Sequence, residues 1–222
     1  MKAVLSHMSG NDQRRAATSA REGSADSTTE RADTTDLATK RLFVAIDLPA
    51  TAKQAVTDWQ REYVEPIAQL RVNHALHVTL CFLGNVPGEQ AKPIVAALER
   101  IDFAPIQSAF GEPLFLPPRG GARRVVALAL ADESGGLAAL QAEVSQTLAT
   151  LGVYAPPKRA YMAHLTVARY RHPGPALSLQ NVNVPAFGLV QMTLYDSVLE
   201  RVGAVHTPLT VFTASNERSP SG

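Results

Sequence analysis

Two tetrapeptides in this chain share one pattern: His77-Val78-Thr79-Leu80 and His164-Leu165-Thr166-Val167 both read His-x-Thr-x. On a strand, residues two apart project to the same face, ~6.5–7 Å apart, so each histidine points the same way as its threonine. Val78 and Leu165 then face the other side. Imidazole, with an unperturbed pKa of ~6.5, can hold or release a proton near neutral pH, and a positioned proton transfer typically contributes ~10²–10⁴-fold to a rate. The chemistry suits a cyclic phosphodiester. In-line opening needs one group to take a proton from water and another, on the opposite side, to protonate the departing ribose oxygen. The two threonine hydroxyls can donate to the non-bridging oxygens. No metal or other cofactor is needed for such a path, and the sequence holds no carboxylate-rich cluster of the kind that binds one.

The elements that must carry these residues can be read from hydrophobic periodicity. Arg41 to Leu48 is apolar on both faces, as an interior strand requires, and Pro49 stops it. Ala52, Val56, Trp59 and Tyr63 form one stripe of a helix that ends before Pro66. Leu76 to Leu83 reads as a strand closed by Gly84, and Ile94, Leu98 and Ile101 mark a helix with Pro93 in its first turn. Leu114 to Leu116 and Val125 to Leu130 read as strands joined by a hairpin tip, Pro117 to Arg124. Leu137, Leu140, Val144, Leu148 and Leu151 line a third helix, with Ser134 as N-cap and Gly152 as its stop. The strand Ala163 to Tyr170 follows, and Val190 to Leu199 and Pro208 to Phe212 are two more. Strands and helices alternate twice in a similar order, with one motif in each half. The expectation is an α+β protein of two related lobes.

Composition narrows the remaining choices. The chain has 222 residues, 45% of them hydrophobic, and a formal net charge of +1, too little basic excess to grip long nucleic acid by counterion release. An RNA end or a short substrate is compatible. Cys81 is the single cysteine, so an internal disulfide and a cysteine-based zinc site are excluded, which favours a reducing compartment. No run approaches the ~20 apolar residues of a membrane span, and no signal peptide is visible, so a cytoplasmic protein is expected. Residues 1–39 are rich in Ser, Thr, Asp, Glu, Arg and Ala and read as a disordered extension. The folded domain is expected over residues 40–213, with a disordered tail at 214–222. No unexplained apolar stripe calls for a partner, so a monomer without an obligate protein partner is expected.

With these residues in view, the chain resembles the two-histidine phosphoesterase superfamily, and within it the RNA 2′,3′-cyclic phosphodiesterases, also called the 2′-5′ RNA ligase family. The resemblance runs from Arg41 to about Phe212. It rests on the opening Arg41 to Pro49, on His77 to Gly84, on His164 to Arg169, and on a final stretch through Leu194-Tyr195 and Val211-Phe212. It implies a bilobal α+β fold with pseudo-twofold symmetry, each lobe with an antiparallel sheet and helices, and an active site in the groove between them. It further implies hydrolysis of the cyclic phosphate to a 2′-phosphomonoester, with His77 as proton donor, His164 as proton acceptor, and Thr79, Thr166 and Arg169 on the phosphate. Arg169 lies five positions after His164, so a straight strand would turn it to the wrong face, and a bulge or strand end must redirect it. The chain departs from the family pattern at Asn73-His74-Ala75-Leu76, where a Glu-Asn pair is usual, and at Ala163, where proline is common.

Other residues carry weaker signals. His74 lacks a threonine two residues on and reads as a loop residue, and His7, His172 and His206 belong to no pattern. Arg119, Arg123 and Arg124 could follow an RNA backbone or simply keep a hairpin tip soluble. Cys81, inside an apolar strand, reads as a packed thiol rather than a nucleophile. Trp59 reads as core, and Phe115 or Tyr161 are candidates to stack on a base. Two rival readings remain at this point: the same chemistry on another cyclic phosphate, such as ADP-ribose 1″,2″-cyclic phosphate, or on a 2′-5′-linked oligonucleotide, and a non-catalytic module that binds RNA ends or nucleotides.

Overall fold

Alternation along the strands dictates how the sheet faces. The computed structural model describes residues 38–118, 122–200 and 203–215, so nearly all of the expected N-terminal extension, most of the tail, and Arg119 lie outside the described residues. Nine strands and three α-helices are present among those described: β1 Lys40–Asp47, α1 Ala50–Tyr63, β2 Leu70–Val72, β3 His77–Val86, α2 Ala91–Leu98, β4 Ile106–Leu116, β5 Arg123–Ala131, α3 Gly136–Thr150, β6 His164–Gly174, β7 Phe187–Leu189, β8 Gln191–Glu200 and β9 Gly203–Thr213. In β3 and β6 the pattern is as expected: Val78, Leu80, Leu165 and Val167 are buried, while His77, Thr79, His164 and Thr166 are only partly covered. With Leu42, Val44, Ile46, Val126 and Leu128 they form one continuous core with the helices. Each such side chain contributes roughly 1.5–3 kcal/mol by leaving water.

Strand order makes the two-lobed plan visible. It runs β7-β4-β5-β6-β3-β1-β8-β9, with β2 added to β6 off this path, and every pairing is antiparallel. Outward from the β3–β6 seam, both halves read alike. β1 and β3 are neighbours joined through α1, and β5 and β6 are neighbours joined through α3. Even the irregularities repeat. Val44 pairs with Cys81 and Ala45 with Thr79, leaving Leu80 as an extra residue, while Val126 pairs with Ala168 and Ala127 with Thr166, leaving Val167 extra. Each motif is thus followed by a bulge at the same place, which bends the strand and shifts later side chains to the other face.

Several boundaries differ from the sequence expectation, each for a local reason. Gly84 does not close β3. It sits at φ 74° beside a register shift, a conformation that glycine adopts without a Cβ clash, and the strand runs on to Val86. The N-cap of α3 is Gly135, also left-handed at φ 70°, and not Ser134. Ser134 Oγ instead accepts from the Gly136 N–H at 3.2 Å, while Asp132 Oδ2 accepts from the Ala138 N–H at 2.9 Å. β4 starts at Ile106, well before Leu114, and the three-residue strands β2 and β7 were too short to show a period. Ordered backbone also extends past Thr213, since the Ala214 and Ser215 N–H groups donate to the Val190 and Phe103 carbonyls at 2.8 and 3.0 Å.

The bulge in β6 is held from behind by a buried amide. Gln60 of α1, only 1% exposed, donates through Nε2 to the carbonyls of Val167 (2.8 Å) and Asn73 (2.9 Å). Asn73 completes the clamp: its N–H reaches the Val167 carbonyl at 2.9 Å, and its Nδ2 reaches the Thr166 and Ala75 carbonyls at 2.8 and 3.0 Å. Replacing Gln60→Ala removes two buried donor contacts and opens a cavity, an expected loss of about 2–4 kcal/mol in urea unfolding. A loss below about 0.5 kcal/mol would mean that the bulge holds without it.

Candidate active site

One residue pair joins the halves at the seam, Val78 with Leu165. Counting one residue outward in antiparallel sense sets His77 opposite Thr166 and Thr79 opposite His164. Each histidine therefore faces the other motif's threonine, and the two histidines are diagonal neighbours, ~7–8 Å apart or a little less between Cβ atoms in such an arrangement. That span accommodates a tetrahedral phosphate between two imidazoles. All four residues line one groove of about 930 Å³, together with Arg169, Arg41, Arg71, His74, Phe82 and His206 among others. The bulge accounts for Arg169: with Val167 and Ala168 both buried, the next residue returns to the groove face. In β3 the same count brings Phe82, five positions after His77, to the groove, 48% exposed.

The two histidines have different surroundings. His164 Nδ1 lies 2.8 Å from the Met162 carbonyl. A carbonyl only accepts, so Nδ1 carries the hydrogen, and in the neutral ring Nε2 keeps a lone pair for an incoming proton. His77 instead packs among rings, with centroids 4.9 Å from Phe43, 6.0 Å from Tyr195 and 5.3 Å from His206. Burial, then the neighbouring His206, push its pKa down to about 4, against the pull of Asp47. Asp47 pairs with His77 across β1 and β3, while Ala129 occupies the equivalent place beside His164. The Asp47 carboxylate accepts from Thr193 Oγ1 at 2.6 Å and Tyr195 OH at 2.8 Å, and Lys53 Nζ lies 3.8 Å away. One sheet position thus holds a carboxylate beside His77 and a methyl group beside His164.

Cationic side chains complete the groove. Arg71 on β2 pairs directly with Arg169 on β6, and the Arg41 guanidinium lies 4.9 Å over the Phe82 ring. Among the described residues no group of three or more His, Cys, Asp or Glu side chains is placed to hold a metal ion, and no helix is long and apolar enough to cross a membrane.

The sequence pattern that defines the 2′-5′ RNA ligase superfamily matches residues 48–186, which include both motifs. The chain belongs to that superfamily. A protein of Archaeoglobus fulgidus named RNA 2′,3′-cyclic phosphodiesterase is 30% identical over 179 residues, covering 78% of this chain and 99% of that one. One of the same name from Thermus thermophilus is 31% identical over 186 residues, covering 80% and 91%. The crystal structure of Escherichia coli LigT complexed with 3′-AMP matches with a TM-score of 0.69 at 26% identity, over 80% of this chain and 99% of that one.

Against this superfamily fold, the structure brings together His77, Thr79, His164, Thr166 and Arg169 as expected from sequence, and adds Asp47, Arg41, Arg71, Phe82 and His206 around them. Arg123 and Arg124 do not line the groove; an Arg123 guanidinium nitrogen donates to the Pro117 carbonyl instead. Nor do Phe115 and Tyr161. Phe115 packs against the core, and the Tyr161 hydroxyl donates to the Thr79 carbonyl at 3.2 Å. His74 is a loop residue, yet it faces the groove. Cys81 is 1% exposed, and burial pushes its thiol up to about 11, with Gln141 Nε2 at 3.9 Å from its sulfur. A disulfide reagent is expected to label the native protein at least ~100-fold more slowly than the chain in denaturant, because only a thiolate in reach of solvent reacts. Equal labelling rates would contradict its burial.

Proposed function

We propose that this chain hydrolyses RNA 2′,3′-cyclic phosphodiester ends to 2′-phosphomonoesters, with His77 as proton donor and His164 as proton acceptor. The observation that carries this reading is the antiparallel crossing of the two motifs, which sets each histidine opposite the other motif's threonine in one groove. The names of the Archaeoglobus and Thermus relatives support it, as does the presence of 3′-AMP in the LigT crystal structure. In this mechanism His164 Nε2 takes a proton from water, and the water oxygen bonds to phosphorus in line with the 3′-oxygen. The P–O3′ bond breaks as His77 gives its proton to that oxygen, leaving phosphate on O2′. The hydroxyls of Thr79 and Thr166 and the Arg169 guanidinium bind the non-bridging oxygens, where negative charge concentrates. RNA ends are the partners this reading requires. It takes the protein to work as a monomer in the cytoplasm.

Two experiments bear on it. An oligoribonucleotide ending in 2′,3′-cyclic phosphate, incubated with the protein and EDTA, should give a 2′-phosphate end identified by mass and selective digestion. His77→Ala and His164→Ala should each lower turnover by ~10²–10⁴-fold while the fold, followed by circular dichroism, stays intact. Wild-type turnover that EDTA removes, or full activity in either variant, would overturn the mechanism.

The pH dependence tests the roles. A donor must be protonated, and in the empty groove His77 holds its proton only up to about pH 4. A phosphodiester anion beside it favours imidazolium, so substrate raises that value. At least one limb of the kcat profile, which reports the complex, should therefore lie at higher pH than its counterpart in kcat/KM, which reports the free enzyme. Profiles that coincide on both limbs would argue that His77 is not the acid.

A further inference from the structure

Next to the motif residues, the groove carries a row of polar side chains that the proposed reaction does not use. β1 and β8 pair Leu42 with Asp196, so the residues one step outward, Arg41 and Ser197, stand side by side, and Ser197 in turn pairs with His206 across β8 and β9. Directly opposed residues of an antiparallel sheet share a face, and all three line the groove. A guanidinium, a hydroxyl and an imidazole therefore follow one another across three strands. None of them hydrogen-bonds through its side chain to any described residue, and the buried Nδ1 of His206 is unpartnered, which leaves Nε2 as the nitrogen to meet a ligand. The row adjoins the reaction centre, since the His206 ring lies 5.3 Å from His77, centroid to centroid, and edge-on at 84°.

Its chemistry is donor-rich and cationic. Among the described residues the one carboxylate that lines the groove, Glu200, lies at the hairpin end of β8, where it pairs with Gly203. The Arg41 plane already covers Phe82, so this wall presents a guanidinium fork in place of a bare aromatic face. Such a fork suits a phosphate. In a strand ending in a cyclic phosphate, the next phosphate lies one ribose away, on the 5′ side.

Building on the proposed phosphodiesterase reading, we infer that Arg41, Ser197 and His206 form a second phosphate subsite, which takes the phosphate on the 5′ oxygen of the terminal nucleotide. The row makes the enzyme selective for nucleotides that carry a 5′-phosphate, whether as an internucleotide link or as a free end, over nucleoside 2′,3′-cyclic phosphates. His206 is neutral in the empty groove, where burial and the Arg41 charge lower its pKa, and an anion here balances that charge.

Adenosine 2′,3′-cyclic phosphate and its 5′-phosphorylated counterpart, compared by kcat/KM on the full chain, test the subsite. The wild type should prefer the 5′-phosphorylated substrate by at least about tenfold, as charge-assisted hydrogen bonds imply. Arg41→Gln and Ser197→Ala should each shrink that ratio, and the two together should bring it near one, while Arg71→Gln preserves it. A ratio near one in the wild type, a ratio unmoved in both variants, or loss only with Arg71→Gln would overturn the proposal. A diadenosine ending in cyclic phosphate separates the two sources: it should match the 5′-phosphorylated nucleotide if the row takes the internucleotide link, and the unphosphorylated nucleoside if it takes only a free 5′ end. If the wild type turned over none of these, the reaction reading would fail by itself, and calorimetry would still decide the subsite. Tighter binding of adenosine 3′,5′-bisphosphate than of adenosine 3′-phosphate, removed by Arg41→Gln, would uphold it; equal affinities would overturn it.

Discussion

The backbone pairing of Val78 with Leu165 is the constraint on which the site depends. Among the described residues it is the one registered pair between β3 and β6, and it fixes four side chains at once, because two His-x-Thr segments that cross antiparallel about their central residue must present a histidine opposite each threonine. A slip of either strand by one residue would turn that strand's histidine and threonine into the core and its Val78 or Leu165 into the groove. The apolar partners of the motifs matter as much as the polar ones: Val78 and Leu165 are fully buried, and their burial anchors the register.

The two bulges add a further side chain from each strand to the groove at this crossing. A regular strand would bury the residue five positions after each histidine. With Leu80 and Cys81 both inward on β3, and Val167 and Ala168 both inward on β6, that residue emerges beside the motif instead. Symmetry of backbone then carries asymmetry of chemistry. The emerging residue is Phe82 on one side and Arg169 on the other, and the residue across from the histidine is Asp47 on one side and Ala129 on the other. The same frame, filled differently, gives one imidazole an aromatic cage and an anion, and the other a fixed tautomer.

Much of this was legible in the sequence, and the limits are instructive. The long strands and helices showed their periods, the paired motifs showed their faces, and counting residues from His164 required a break in regular strand before Arg169. The same count from His77 would have found Phe82, since the motif repeats in the same frame, but an aromatic residue in an apolar strand carries no distinguishing mark. Gly84 was misjudged because glycine signals a chain reversal and a bulge equally well. Ser134 was misjudged because Gly135, in a left-handed conformation, takes the cap position. Gln60 on an otherwise apolar helical face, and Arg41, Ser197 and His206, gain their meaning only from strand neighbours far away in the chain, which no local pattern reports.

The seam also couples activity to the folding reaction. The β1–α1–β3 stretch and the β5–α3–β6 stretch each close over modest loops, but the pairing of β3 with β6 joins parts of the chain that are far apart and belongs with the slow, non-local events of β-rich folding. A molecule with both halves formed and the seam open would have native-like secondary structure and a buried thiol, but neither histidine would have its opposing threonine. On the proposed roles, catalytic competence then depends on closure of the seam. Recovered turnover would report closure of this seam, which circular dichroism does not distinguish from pairing within the separate halves.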